Sequence, residues 1–320
     1  TDKSPKGSKV YIIGSGISGL ASAIYLEKDA GVAGENIYIL EKDSIPGGAT
    51  DGAGDKEKGY VVRGGRMHEM HYECYWELLS HIPSLENPDI SIRDESYDFN
   101  ERFVSNGQAR LLKDGKKLDV SSYGLSFKQQ TDFVKLTFVS EHSLGNQRIE
   151  DWFDQDFFDT NFWYIWTTMF AFQKWSSVAE MRRYMKRFIH LIDGLPRLGC
   201  VMRTKYNQYD SLVRPVKKYL EAKGVKFQMG KEVVDIDFNL SADKKSATVL
   251  HLKDKTEIVL RKNDFVFITN GSITDSTDNG SWDTPAKLKG LEQSGSWKLW
   301  KKLAIKDKAF GNPDPFCDNI

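Results

Sequence analysis

The stretch that decides the fold is Lys9-Val-Tyr-Ile-Ile-Gly-Ser-Gly-Ile-Ser-Gly-Leu20. Its first five residues, Lys9–Ile13, form a short apolar run that predicts a buried parallel strand. A Gly-x-Gly-x-x-Gly pattern follows at once, and Leu20–Glu27 has the apolar spacing of a helix. Asn36–Leu40 then predicts a second strand. Together these segments indicate a β-α-β unit of about 30 residues.

The glycine loop has the features of a dinucleotide site. Its first glycine allows a tight turn out of the strand, the second lets backbone N–H groups approach a pyrophosphate, and the third lets helix and strand pack closely. An acidic residue at the end of the second strand accepts hydrogen bonds from ribose hydroxyls. The alternative is a purely structural glycine turn. The cofactor-binding residues predicted here are Gly14, Ser15, Gly16, Ile17, Ser18, Gly19, Glu41 and Lys42.

Later segments favour FAD over NAD as the cofactor. Glycines at Pro46-Gly-Gly48 and Arg63-Gly-Gly-Arg66 let the backbone run close to a long ligand, and an arginine can reach a phosphate or a flavin oxygen. The strand Asp264–Gly271 is similar to the second dinucleotide motif of flavoproteins. Taken singly, each segment is an ordinary strand and turn. The further FAD-binding residues predicted are Gly47, Gly48, Arg63, Gly64, Gly65, Arg66, Val233, Val234, Asn270, Gly271 and Ser272.

Two regions interleave along the chain. The predicted nucleotide-binding domain uses residues 8–84 and returns at 201–320. A segment at 85–200, rich in helices and aromatic residues, is inserted between them as a substrate-binding domain. A meander of three strands between Val233 and Leu260 and a buried strand at Asp264–Gly271 belong to the returning part.

Within the insertion, the patterns predict both sheet and helix. Tyr97–Leu118 contains short alternating segments with Asn-Gly and Asp-Gly turns, which predict a small antiparallel sheet. Ser177–Ile192 predicts a helix, and the aromatic stretch Trp152–Trp175 predicts packed core, the wall of a pocket, or both. After the insertion, Tyr209–Lys223 predicts a helix that Pro215 either kinks or begins.

Composition excludes several classes of protein. The chain has 320 residues with 45 Lys+Arg and 45 Asp+Glu, and this zero net charge argues against a general nucleic-acid binder. The sparse cysteines, Cys74, Cys200 and Cys317, lack CxxC spacing and fit a reducing compartment. His68 and His71 lack the spacing of a helical zinc pair, so we expect no metal site. The polar N-terminus predicts no signal peptide and a cytoplasmic location, peripheral to a membrane at most.

Ten longer strings carry a family resemblance. They are Arg63–Arg66, His71–Leu79, Ile82–Glu86, Asn161–Trp163, Met169–Phe172, Glu180–Tyr184, Lys205–Tyr209, Thr269–Thr274, Gly295–Trp300 and Phe310–Pro313. In this order they resemble the oleate hydratases, the FAD-containing fatty-acid hydratase family also called myosin-cross-reactive antigen. The resemblance covers essentially the whole chain. It implies an α/β fold, an FAD-binding Rossmann-like (GR2-type) nucleotide domain with an inserted α+β substrate domain. It also implies that the C-terminal part of the family fold lies beyond residue 320.

The resemblance implies a hydro-lyase. Such an enzyme adds water across the cis double bond of oleate or a related unsaturated fatty acid and gives a 10-hydroxy fatty acid. FAD is not consumed, and its implied role is structural and electrostatic. Tyr184 matches the tyrosine that donates the proton, and Arg182 and Arg183 are placed to stabilise a phenolate. Asn207 and Gln208 are candidates for binding substrate or flavin.

One position departs from the family pattern. Much of the family has a glutamate that orients or activates the water where this chain has Met67, and a thioether cannot take a proton. Three explanations compete. Glu69, or else His68, substitutes for the missing glutamate; the reduced flavin and backbone groups place the water alone; or the chain is weakly active. Glu69 is the preferred replacement.

Two other functions stay open at this point. A flavin oxidoreductase of the amine-oxidase or desaturase type would share the nucleotide fold, and a weakly active relative that binds FAD or fatty acid would share the sequence strings. The expected partners are an unsaturated fatty acid and water, with no nucleic acid. Transient contact with a membrane surface and a homodimer are further expectations, which the residues do not decide.

Overall fold

The computed structural model describes residues 5–57, 59–62, 67–107, 111–272, 275, 277–287 and 295–312, and the predicted cofactor residues Arg63–Arg66 lie outside them. The chain divides into two compact units. Unit 1 comprises Thr1–Met67, Tyr72–Phe99 and Arg203–Ile320, and unit 2 comprises His68–His71 and Asn100–Met202. The boundaries predicted from the sequence, 84/85 and 200/201, differ from these mainly at 85–99, which falls in unit 1. The roles assigned to the two domains stay predictions.

The regular elements have the following bounds. The strands are β1 (Val10–Ile13), β2 (Ile37–Glu41), β3 (Gly52–Asp55), β4 (Gly59–Val62), β5 (Leu112–Lys113), β6 (Lys116–Lys117), β7 (Lys226–Met229), β8 (Val233–Leu240), β9 (Lys245–Leu252), β10 (Glu257–Val259) and β11 (Phe265–Ile268). The α-helices are α1 (Ile17–Lys28), α2 (Glu73–Ser80), α3 (Ile92–Arg102), α4 (Phe127–Phe138), α5 (Glu141–Leu144), α6 (Ile149–Trp152), α7 (Asn161–Phe170), α8 (Val178–Phe188), α9 (Arg214–Ala222) and α10 (Gly295–Lys306). Within the described ranges, no helix combines the length and the apolar character needed to cross a bilayer.

A parallel sheet forms the centre of unit 1. Its strand order is β11-β1-β2-β7, with Val10 paired to both Ile37 and Phe265. All four residues of β1 are buried, which is why its sequence is a continuous apolar run rather than an alternating one. Helix α1 buries Leu20 and Ala23 on one face. The β-α-β unit and the α/β class predicted from the sequence are confirmed.

A second sheet of unit 1 is the antiparallel meander β10-β9-β8, as the sequence predicts. It shares one apolar core with the parallel sheet and with α10. The buried members of that core are Tyr11, Ile13, Leu40, Val233, Ile236, Leu250, Leu299 and Leu303.

The core of unit 2 is largely aromatic. It draws on α4, α6, α7 and α8, and the segments between them add further rings. Its buried residues are Phe133, Leu136, Leu144, Ile149, Phe153, Phe157, Phe158, Phe162, Trp163, Trp166, Phe172, Val178, Met181 and Met185. Trp152–Trp175 therefore supplies packed core, the first of the two roles predicted for it.

The sheet predicted over Tyr97–Leu118 is wrong in its first part. Residues 97–102 belong to α3, where acidic residues in the first turn and Arg102 in the last turn complement the helix dipole. Among the described residues of this stretch, a short hairpin, β5-β6, forms around Asp114-Gly115, where both residues adopt positive φ angles of 51° and 73°. Such a two-residue turn matches the twist of paired strands.

Two helices predicted from their periodicity adjoin turns that are not α-helical. Ser177 caps α8 by accepting a hydrogen bond from the Glu180 N–H, and after Phe188 the chain tightens into a 3-10 helix, Ile189–Arg197. Tyr209–Val213 is one π-helical turn that leads into α9, with Pro215 in the first turn of α9. Proline is tolerated there because the first N–H groups of a helix have no intrahelical partner, so it begins the helix rather than kinking it.

Candidate functional site

A cavity of about 740 Å³ opens in unit 1 at the carboxyl ends of β1, β2 and β11. This edge of a parallel sheet is where α/β folds bind ligands, and the volume suits a large cofactor. The predicted cofactor residues that line it are Gly14, Ser15, Gly16, Ile17, Ser18, Glu41, Lys42, Gly47, Gly48, Val233, Val234, Asn270, Gly271 and Ser272. Gly19 does not line the cavity, because it faces the strand instead.

The first and third positions of the loop require glycine for different physical reasons. Gly14 has a φ of +100°, which L side chains rarely adopt. A Cβ atom on Gly19 would lie 2.1 Å from the carbonyl oxygen of Gly14, so only glycine lets α1 start this close to β1. The helix N-terminus is thereby held at the cavity, where its free N–H groups favour an anion such as a phosphate.

Glu41 ties the loop together. Its Oε2 atom accepts hydrogen bonds from the backbone N–H of Ser15 at 2.9 Å and from the Ser15 hydroxyl at 2.5 Å, and its Oε1 atom accepts one from the Asp43 N–H at 3.0 Å. A carboxylate has about four acceptor positions, so one is left for a ribose hydroxyl. The sequence predicted the ribose contact but not the loop contact.

Three lysines of α10 that line the cavity were missed by sequence reasoning. Lys298, Lys301 and Lys302 on α10 line the cavity together with Lys42 and Lys231. The α10 lysines recur at i, i+3 and i+4, a spacing that puts them on one helix face. That spacing is the sequence signal that could have identified them. Their charge suits the phosphates of a dinucleotide.

Tyr184 lies on α8 in unit 2, within a ring of phenylalanines. Its ring centroid is 5.3 Å from that of Phe170, 5.1 Å from Phe172 and 5.9 Å from Phe188. The side chain is half-buried, and its hydroxyl has no hydrogen-bond partner among the described residues. An unengaged phenolic hydroxyl can donate a hydrogen bond to a ligand that reaches it.

A second, smaller cavity of about 180 Å³ adjoins this ring in unit 2. Phe188 contacts Tyr184 and also lines the cavity, while the buried indole N–H of Trp166 has no partner among the described residues. The lining is almost wholly apolar and suits a hydrocarbon segment. The lining residues are Leu125, Gln130, Phe133, Phe162, Trp166, Met185, Phe188, Ile189, Ile192 and Leu195.

Glu69 forms a buried charged cluster in unit 2. It is 1% exposed, and its carboxylate contacts Arg187 at 2.5 Å, His71 at 2.9 Å and His190 at 3.5 Å. Burial alone raises the pKa of Glu69, but the hydrogen bonds from the backbone and ring of His71 and the charge of Arg187 outweigh it. The net effect is a lowered pKa, so the carboxylate is ionised.

Other predicted residues lie elsewhere. Met67, 41% exposed, belongs to unit 1, whereas Tyr184 and Glu69 belong to unit 2. His68 is buried in unit 2, and burial lowers its pKa to about 4. Asn207 closes a local turn, since its Oδ1 atom accepts from the Asp210 N–H at 3.0 Å.

Gln208 is buried beside Asn207 in unit 1, and neither residue is among the described residues that line the two cavities. Arg182 donates to the carbonyls of Leu136 and Thr137, and both Arg182 and Arg183 pair with Glu141. These contacts fasten α8 to the end of α4. Both guanidinium groups thus have a packing role, and their predicted role toward a phenolate stays a prediction.

Comparison with known proteins identifies relatives of this chain. The sequence pattern of the MCRA family matches residues 7–320. The chain is 43% identical to an oleate hydratase of Streptococcus pyogenes serotype M49 (strain NZ131), over 100% of this chain and 55% of that protein. It is 34% identical to a linoleate hydratase of Lactiplantibacillus plantarum, over 98% of this chain and 59% of that protein. The chain thus spans a little over half the length of these relatives.

A solved structure shares the fold. The CLA-producing fatty acid isomerase from P. acnes aligns with a TM-score of 0.50 at 16% identity, covering 82% of this chain and 59% of that one. The family pattern extends over nearly every residue, including the glycine loop, Tyr184 and Glu69. On this ground the chain belongs to the MCRA family.

Proposed function

We propose that the protein carrying this chain is a hydro-lyase that adds water across the cis double bond of oleate or a related unsaturated fatty acid to give a 10-hydroxy fatty acid. The observation that carries the proposal is Tyr184, whose free hydroxyl stands in an aromatic ring that adjoins an apolar cavity. The names of the relatives, an oleate hydratase and a linoleate hydratase, support the same substrate class.

FAD is the proposed cofactor, and the cavity of unit 1 fits it. The glycine loop offers a helix N-terminus for the pyrophosphate, Glu41 keeps one acceptor for the ribose, and the α10 lysines supply positive charge. A Cβ on Gly16 would lie 4.0 Å from the Cα of Gly48. Because neither glycine has a side chain, a narrow cleft for the cofactor is left between them. Since hydration changes no oxidation state, bound FAD supplies a fixed electrostatic surface.

The chain's own residues account for the acid half of the reaction. An isolated alkene is a weak base, so protonation needs a donor aligned with one carbon while water meets the other. Tyr184 gives its proton to the first carbon, and the rings of Phe170, Phe172 and Phe188 stabilise the positive charge that develops on the second. The apolar cavity beside Phe188 holds part of the acyl chain and excludes water there.

Membrane contact is a finer part of the proposal. Phe127, Val134 and Phe138 are exposed on one face of α4, and Gln130 on the same helix lines the apolar cavity. An exposed apolar stripe next to an acyl-chain cavity suits transient contact with a lipid surface. A cytoplasmic location and a homodimer stay predictions.

The experiment that tests the function is direct. Full-length protein is incubated with oleate and FAD, and the fatty acid is analysed by mass spectrometry. Hydration gives a product heavier by one water and no peroxide. A flavin oxidoreductase would give peroxide and no added water, and a relative that only binds its ligands would return oleate unchanged.

A further inference from the structure

The residues around Glu69 are placed to supply the base that Met67, at the position of the family's water-activating glutamate, cannot provide. Both oxygens of this carboxylate have a close neighbour. Oε2 accepts from the backbone N–H of His71 at 2.7 Å and contacts its Nδ1 at 2.9 Å, while Oε1 contacts Arg187 Nη2 at 2.5 Å. Arg187 also donates to the carbonyl oxygen of His71 at 2.9 Å. His71 is therefore held by its backbone and by its ring.

These contacts fix the tautomer of His71. An ionised carboxylate has no proton to give, so His71 Nδ1 carries the hydrogen and donates it. The second ring nitrogen, Nε2, is then an acceptor with a free lone pair. The His71 side chain is 60% exposed, so water can reach the ring. Glu69 itself is 1% exposed and neutralised by Arg187, which makes it a poor base for water.

Helix α8 carries both the proposed acid, Tyr184, and Arg187 of the Glu69 cluster. Arg187, which grips both Glu69 and His71, follows Tyr184 by three residues on α8, a rise of about 4.5 Å. All four residues belong to unit 2. The helix that carries the proton donor Tyr184 thus also carries the residue that holds the proton acceptor His71 in place, and acid–base catalysis requires both groups to be positioned.

We propose that His71, oriented by Glu69, is the base that activates the water, with Glu69 and Arg187 as positioning residues. The proposal rests on the proposed hydratase function. As the water oxygen bonds to one alkene carbon, one O–H bond breaks and His71 Nε2 takes the proton. Tyr184 gives its proton to the other carbon. Return of the proton from imidazolium to phenolate restores both groups, and the net change is the addition of one water.

The same atoms could instead hold a metal ion. Ligand atoms of Glu69, His71 and His190 lie within 4.8 Å of one another. Arg187 decides between the two roles, because its positive charge already occupies Glu69 and opposes a divalent cation. His190, whose ring meets that of His71 edge-on at 4.4 Å, is placed to contact the same carboxylate at 3.5 Å.

The test uses the full-length, FAD-loaded protein and oleate, and compares His71→Gln, His71→Gly, Glu69→Gln and the surface control His142→Gln. We expect His71→Gln to lower kcat about 10²- to 10⁴-fold with KM little changed. Added imidazole should restore turnover to His71→Gly.

Glu69→Gln should lower kcat less than His71→Gln does, because it keeps the imidazole and loses only the carboxylate that orients it. His142→Gln should match the wild type. Wild-type turnover in His71→Gln would overturn the proposal while leaving the hydratase function intact. Loss of wild-type activity on dialysis against EDTA, reversed by Zn²⁺, would also overturn it in favour of a metal. If the wild type forms no hydroxy acid, the hydratase function fails, and this proposal fails with it.

Discussion

Glu41 accepts hydrogen bonds from both the backbone N–H and the hydroxyl of Ser15, 26 residues earlier in the chain, at 2.9 and 2.5 Å. The contact joins the end of β2 to the glycine loop, so the residue that is predicted to bind ribose also shapes the phosphate site. Loss of this carboxylate should therefore affect the fold and the cofactor together.

Glu41→Gln is predicted to lower the free energy of unfolding by about 1.5–3 kcal/mol, the range for buried hydrogen bonds to a charged group. FAD affinity should fall as well. Urea unfolding and flavin titration measure the two effects, with Glu35→Gln, an exposed glutamate of unit 1, as the matched control. Unchanged stability with unchanged affinity would remove Glu41 from both roles.

Two glycines of the loop should separate stability from binding. Gly19→Ala places a Cβ 2.1 Å from the Gly14 carbonyl oxygen and should destabilise the protein by about 1–3 kcal/mol. Gly16→Ala meets only Gly48 at 4.0 Å, so it should leave stability nearly unchanged and weaken FAD binding by crowding the cleft. Thermal unfolding with and without FAD distinguishes them. Equal effects of the two variants on stability and on FAD binding would contradict these separate roles.

The β-α-β unit was predictable because its determinants are local. An apolar run, three glycines and an acid at fixed spacing lie within 33 residues, and each has one structural role. The helix that replaced the predicted sheet at Tyr97–Arg102 shows the limit of alternation as a signal. The charges at its two ends stabilise the helix, and a search for alternating apolar and polar residues takes no account of them.

The Glu69 cluster was not predictable, since it joins residues 118 positions apart. Sequence reasoning gave Glu69 the role of a base because carboxylates take protons. Only the structure brings Arg187 and the two histidines to it, and these contacts change which group has a free lone pair. The lysines of α10 were missed for a similar reason, because their helix is distant in sequence from the glycine loop.

Buried His68 predicts a pH dependence of stability. Burial lowers its pKa from 6.5 to about 4 in the folded protein. The unfolded chain therefore binds a proton as the pH falls below about 6.5, whereas the folded protein does so only near 4. Stability should fall across this window by up to about 3 kcal/mol. Urea unfolding at several pH values measures it, and His68→Asn should lack this component; an equal slope in both proteins would contradict the assignment.

The apolar cavity of unit 2 predicts a substitution that acts on substrate and not on stability. Ile192→Phe fills part of the space beside Phe188 and Trp166. It should raise KM for oleate at least about 10-fold, since one lost pocket contact of this size is worth about 1–3 kcal/mol. Val104→Phe, at an exposed position of unit 2, is the control. Equal KM values for both variants would mean that the acyl chain lies elsewhere.

The most direct test of the hydratase account is single-residue removal of the proposed proton donor. Tyr184→Phe keeps the ring that packs against Phe170, Phe172 and Phe188 and deletes only the hydroxyl, while Tyr164→Phe deletes a surface hydroxyl of the same unit. Each full-length protein is incubated with oleate and FAD in H₂¹⁸O, and the label in the fatty acid is measured by mass spectrometry. The account predicts ¹⁸O-labelled hydroxy acid from the wild type and Tyr164→Phe, and at least a 100-fold lower rate from Tyr184→Phe, about the least that a general acid contributes. Labelled product at the wild-type rate from Tyr184→Phe would contradict it.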